Sequence, residues 1–190
     1  MAERTTSELI ESLGSDVTRC HKALIDSIDD GDVDQDGNVD ADYEFHARQL
    51  IRATFAFIEG VIFSVKVNAA ELCIQNKRDI SDAERFLATD TDYMLTDKGH
   101  VIARPAHIRL SDNIRFAFAL QEKALGLSDH FDASVEWWSC FKSSVQVRDR
   151  LTHPKLPEDI DVSGQEIVDA LKAYEGFKEQ VLSYAEKRDG

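Results

Sequence analysis

Residues 147–155 read VRDRLTHPK and put an arginine and a histidine, Arg148 and His153, within reach of one another. An imidazole exchanges a proton near neutral pH, and a guanidinium offers forked donors to a phosphate or a carboxylate. A separation of five residues turns through about 140° on an ideal helix, so the two side chains would not share a face. His153 precedes Pro154, however, and that position disfavours helical backbone. The histidine is therefore expected to leave the end of its helix, with its direction set by tertiary contacts. Asp149, four residues earlier, is placed to orient the ring or its proton, and Arg150 and Lys155 add positive charge beside it.

A second stretch, DGDVDQDGNVDADYE at residues 30–44, carries the letters of a calcium loop. Such a loop needs oxygen ligands at positions 1, 3, 5 and 9, glycine at 6 and a bidentate acid at 12. Counting from Asp32 puts Asp34, Asp36, Gly37 and Asp40 in their places, but position 12 falls on Tyr43, with Asp42 and Glu44 on either side. The Asp32–Glu44 segment reads better as a solvated turn, with weak calcium binding as the alternative.

Other chemistries lack their residues. No GxxxxGK[ST] or GxGxxG is present, no His/Cys set has zinc spacing, and no GxSxG occurs. Neither a metal nor a cofactor is expected. Cys20, Cys73 and Cys140 are widely spaced and read as buried, reduced thiols of a cytoplasmic protein. The N-terminus is polar and acidic, unlike a secretory signal, and no apolar run approaches a membrane span. The formal net charge of −14 repels nucleic acid over the surface as a whole. Any such ligand must be met by a local basic patch or a basic partner.

The elements that must position these residues are mostly helical. Apolar residues at helical spacing mark a first helix from Leu9 to Ile28 and a long one from about Tyr43 to Ile74. Ser81–Glu84 has the form of a capping box before a short helix. Tyr93–Leu95 and Val101–Ala103 flank Asp97-Lys98-Gly99 as a small hairpin ended by Pro105. A fourth helix opens at Ser111-Asp112, a fifth runs from about Ala133 to Thr152, and a second capping box at Ser163–Glu166 starts the last. The expected fold is all-α, an antiparallel helical bundle with an inserted β-hairpin, in one domain spanning residues 1–190. On the long helix Arg48, Arg52 and Glu59 share a side and are expected to form an internal ion pair rather than to line a site. Of Trp137 and Trp138, one is expected in the core and the other toward an interface.

In VRDRLTHPK, with the WWSCFK stretch leading the same helix, the chain resembles the HEPN superfamily, whose mark is Arg, four to six residues, then His. The long helix containing FAFIEG and the inserted hairpin resemble a less characterised bacterial group within it. The resemblance implies a metal-independent endoribonuclease, active as a homodimer that brings two Arg/His pairs together and leaves a 2′,3′-cyclic phosphate. It casts His153 as general acid and base, Arg148 as phosphate clamp and Asp149 as the residue orienting them. Arg150, Thr152 and Lys155 become substrate contacts. It also implies a toxin or phage-defence setting, with RNA as substrate and an antitoxin or other protein as partner. The rival expectation is a catalytically silent HEPN-like scaffold or a nucleotide- or protein-binding module. In that case Arg148 serves an ion pair and His153 caps helix carbonyls. A third expectation, a calcium-responsive regulator, rests on the acidic loop alone.

Overall fold

A computed structural model describes residues 6–29, 41–128 and 130–189. The acidic turn at residues 30–40, and with it most of the calcium-loop question, lies outside the described residues. The fold is all-α with one inserted two-stranded hairpin. In chain order it runs α1 (Thr6–Asp29), α2 (Ala41–Gln75), α3 (Asp82–Ala88), β1 (Thr91–Leu95), β2 (Val101–Pro105), α4 (Leu110–Leu125), α5 (Glu136–Thr152) and α6 (Gly164–Asp189). A 3-10 turn at Pro157–Ile160 lies between α5 and α6. The chain forms two compact units. One comprises residues 1–60 and 133–181, the other 61–132 and 182–190.

In the first unit α1 and the first half of α2 join α5 and most of α6. Its core is aromatic: Trp138 stacks on Phe141 with centroids 5.0 Å apart, Phe141 meets Phe55 at 6.0 Å, and Phe57 meets Tyr174 edge-on at 5.1 Å. The two tryptophans divide as expected, at least for the core. Trp138 is fully buried, whereas the half-buried Trp137 lies on α6 against Gly176, where an added Cβ would collide with its Cβ and Cγ. That collision involves the stem of the indole, which cannot swing aside. Gly176→Ala is therefore expected to destabilise the protein by about 1–3 kcal/mol, read as a lower urea midpoint. An unchanged midpoint would mean that α5 yields at this contact.

The second unit holds the rest of α2, α3, the hairpin, α4 and the last turns of α6. Ala69, Cys73, Ala88, Leu120 and Ala124 form one buried cluster. At the end of α2, Lys77 takes a left-handed conformation (φ 53°) and the Arg78 N–H donates to the Cys73 carbonyl at 2.8 Å, a closing turn that glycine more often supplies. Lys66 is wholly buried, yet it pairs with Asp90 and its ammonium also faces the Leu87 carbonyl at 3.4 Å. This charge fixes the junction between α3 and β1. Glu122, also buried, accepts from the Tyr184 hydroxyl at 2.6 Å and the Phe131 N–H at 2.8 Å, with the His130 ring at 3.2 Å.

Both capping boxes are present. Glu84 accepts from the Ser81 N–H at 2.8 Å, Glu166 from the Ser163 N–H at 2.8 Å, and each serine hydroxyl accepts in return. The hairpin is two residue pairs longer at its open end than expected, with Asp92 opposite Arg104 and Thr91 opposite Pro105. Proline fits there because the last position of an edge strand can forgo its donor. Helix α5 begins at Glu136 rather than Ala133. All three cysteines are free, but only Cys73 is buried, while Cys20 and Cys140 are half-exposed. Burial raises each thiol above its ordinary pKa.

Candidate functional site at the end of helix α5

The buried stripe of α5 is Trp138, Phe141, Ser144, Val147 and Leu151. With these turned inward at helical spacing, Asp149 and Thr152 fall on the exposed side and Arg148 on its margin. Helical hydrogen bonding stops at His153, whose N–H still donates to the Asp149 carbonyl at 3.1 Å. Its backbone has left the helix, at φ −130° and ψ 55°, outside the helical region that a following proline disfavours. The His153 side chain is exposed, and its ring makes no hydrogen bond or ion pair with a described residue.

Arg148 is held from three sides. Its guanidinium pairs with Glu59 of α2 and with Asp149 at 2.9 Å, and it lies 5.5 Å from the centre of the Phe55 ring. Asp149 therefore serves the arginine, not the His153 ring. The expected internal pair on α2 is not formed: Glu59 goes to Arg148, Arg48 lies 3.6 Å from Glu44, and Arg52 donates to the Leu151 carbonyl at 3.2 Å. Arg52 thus neutralises the carbonyl end of α5, where the helix dipole is negative, two residues before His153. The structure brings Arg148 and Asp149 together, but within one chain it does not join either of them to His153.

The remaining candidates divide. Thr152 spends its hydroxyl on the Arg148 carbonyl at 2.7 Å. Arg150 faces α6, where one nitrogen donates to both Glu166 oxygens at 3.0 Å and to the Asp161 carbonyl. Since Glu166 also caps α6, Arg150 is a clamp between the two helices and not a free substrate contact. Lys155 keeps an exposed ammonium that makes no hydrogen bond or ion pair with a described residue. Its N–H and that of Leu156 donate to the Asp159 carboxylate at 2.7 and 2.9 Å.

Those two amide bonds hold the Asp159 carboxyl below its ordinary pKa. Because the folded pKa is depressed, the stabilisation is present above the unfolded value and fades as pH falls through the folded one. Asp159→Ala is expected to speed hydrogen exchange at Lys155 and Leu156 near neutral pH, and acid is expected to do the same to the wild type. Equal exchange in the two proteins would show that the carboxylate does not hold this loop.

Sequence could signal that Glu59 needs a cation, but not that the cation is Arg148 or that Phe55 lies beside it. Glu59 is the one acidic residue in the apolar run between Glu44 and Glu71, and a carboxylate there needs a cation. Among the described residues no three His, Cys, Asp or Glu side chains gather to hold a metal ion, and no helix is long and apolar enough to cross a membrane. Set beside family models, curated proteins and solved structures, the chain matches none of them.

Proposed function

We propose that this protein is a metal-independent RNA endonuclease that acts as a homodimer, with His153 as proton-transfer residue and Arg148 as phosphate clamp. The observation that carries the reading is the unengaged, exposed imidazole at the end of α5, in a neighbourhood supplied with Arg52, Arg148 and Lys155 although the chain is strongly acidic overall.

In the proposed reaction a ribose 2′-oxygen attacks the adjacent phosphorus. The new O2′–P bond forms as the P–O5′ bond breaks, giving a 2′,3′-cyclic phosphate and a 5′-hydroxyl. One imidazole takes the 2′-OH proton, and a second, from the other copy, protonates the departing 5′-oxygen. The arginine stabilises the charge that builds on the phosphate. For this, Arg148 must exchange Glu59 or Asp149 for phosphate, and both carboxylates are half-exposed, so the exchange is open to solvent. A cytoplasmic toxin or defence role, restrained by an antitoxin or another protein, accords with such an activity.

One observation favours a second reading, a silent HEPN-like scaffold or binding module. Arg148 already has two carboxylates and a ring, which is what a structural arginine has. Total RNA incubated with the protein in EDTA decides between them. Cleavage that leaves cyclic phosphate ends and disappears in Arg148→Ala and His153→Ala supports the nuclease. RNA left intact by the wild type, or a strict monomer by light scattering, rejects it.

A further inference from the structure

The hairpin of the second unit is more apolar on its surface than a free hairpin should be. Leu95 and Val101 are 69% and 68% exposed, and Tyr93, Met94 and Ile102 between 40% and 45%. The register puts Tyr93, Leu95, Val101 and Ala103 on one face and Met94 and Ile102 on the other, so neither face is covered along its length. Two strands alone are marginally stable in water. At its base β1 does find support, since Tyr93 packs edge-on against Phe86 of α3 at 4.7 Å. That contact is also one wall of an open groove of about 550 Å³, floored by Val67, Ala70 and Ile74 of α2. Ile74 is itself 55% exposed.

We propose that this surface binds a second copy of the same chain, with the hairpin tip of each seated in the groove of the other. Two features select this occupant. First, a projecting apolar tip and an apolar groove adjoin on one surface, and a two-fold contact requires such self-complementarity. Second, residues 91–109 carry Asp92 and Asp97 against Lys98, Arg104 and Arg109, a slightly positive segment in a chain of net charge −14. Contact through this segment does not add to the repulsion that the net charge sets between two copies. At the groove rim Arg85 is matched with Asp82 at 3.6 Å, which leaves Glu71 without an ion pair among the described residues, and Lys98 at the tip is in the same position.

The inference rests on the homodimer of the ribonuclease reading and adds the surface at which the two copies meet; the hairpin variants separate the failure of this surface from the failure of that reading. Sedimentation equilibrium on the full chain measures the dimer Kd of the wild type, Leu95→Glu, Val101→Glu, Lys98→Glu, Glu71→Lys and the double charge reversal. Both tip substitutions sit on exposed positions, so helical circular dichroism is expected to stay unchanged. Each is expected to raise Kd by roughly tenfold or more. Each single charge reversal should weaken the dimer, and the double reversal should restore it toward wild type. A monomeric wild type overturns the proposal, as does a dimer indifferent to the tip variants. Charge reversals that merely add, without restoration, overturn the tip-in-groove arrangement. A dimer that ignores the hairpin but cleaves RNA would leave the nuclease standing and remove this interface.

Discussion

Substituting His153 with alanine is expected to lower EDTA-resistant RNA cleavage by roughly 10²–10⁴-fold, the span typical of a lost general acid or base. Stability should scarcely change, because the ring is exposed and makes no hydrogen bond or ion pair with a described residue. That separation of activity from stability makes the test informative. Arg148→Ala is less clean, since it also frees Glu59 and uncovers Phe55. Arg148→Lys keeps the charge and loses the fork, so it should retain most of the stability and little of the cleavage. If the lysine variant cleaves as well as wild type, the arginine is a structural cation and the silent-module reading gains. Cleavage undiminished in His153→Ala would end the catalytic assignment outright.

The largest expected effect on stability lies at Glu122. Its buried carboxyl gathers the Tyr184 hydroxyl, the Phe131 amide and the His130 ring, joining α4 to the loop after it and to the last turns of α6. Glu122→Ala strands two of those donors in a place water does not readily reach, at about 1–3 kcal/mol each, and removes side-chain volume besides. A total loss of about 3–5 kcal/mol is expected from urea unfolding, with faster exchange of the Phe131 amide. Tyr184→Phe, which removes one bond and little volume, should cost about 1 kcal/mol. The exposed His130 should contribute least. A Glu122→Ala protein within about 0.5 kcal/mol of wild type would show that the loop is held by Phe131 packing on Phe118 at 5.1 Å instead.

Much of the scaffold was legible because its signals are local. The unbroken apolar period of α2, the two Ser-x-x-Glu boxes and the Asp97-Lys98-Gly99 turn each depend on residues within a few positions of one another. The partners of charged side chains were not legible for the opposite reason. Arg52, Arg48 and Glu59 align on a single helical wheel, yet Arg52 bonds to residue 151 and Glu59 to residue 148. A wheel sees only its own helix. The pairing of Arg150 was hidden in the same way, because nothing in VRDRLTHPK points to Glu166. Of the site itself, sequence located the break at His153 through Pro154, and it located Arg148. It could not say that Arg148 would be satisfied by carboxylates while the histidine was left without a partner.

The backbone of His153 has a consequence for how the motif can vary. Because that residue directly follows Thr152 as the cap of α5, at ψ 55°, its place relative to Arg148 is still set by the helix, while the chain beyond it is not. An insertion between Arg148 and Thr152 would fall inside the helix and rotate everything beyond it by about 100°, whereas one after His153 would leave that interval untouched. The spacing of arginine and histidine is therefore a property of the helix itself, and only the loop after His153 can change length without disturbing it.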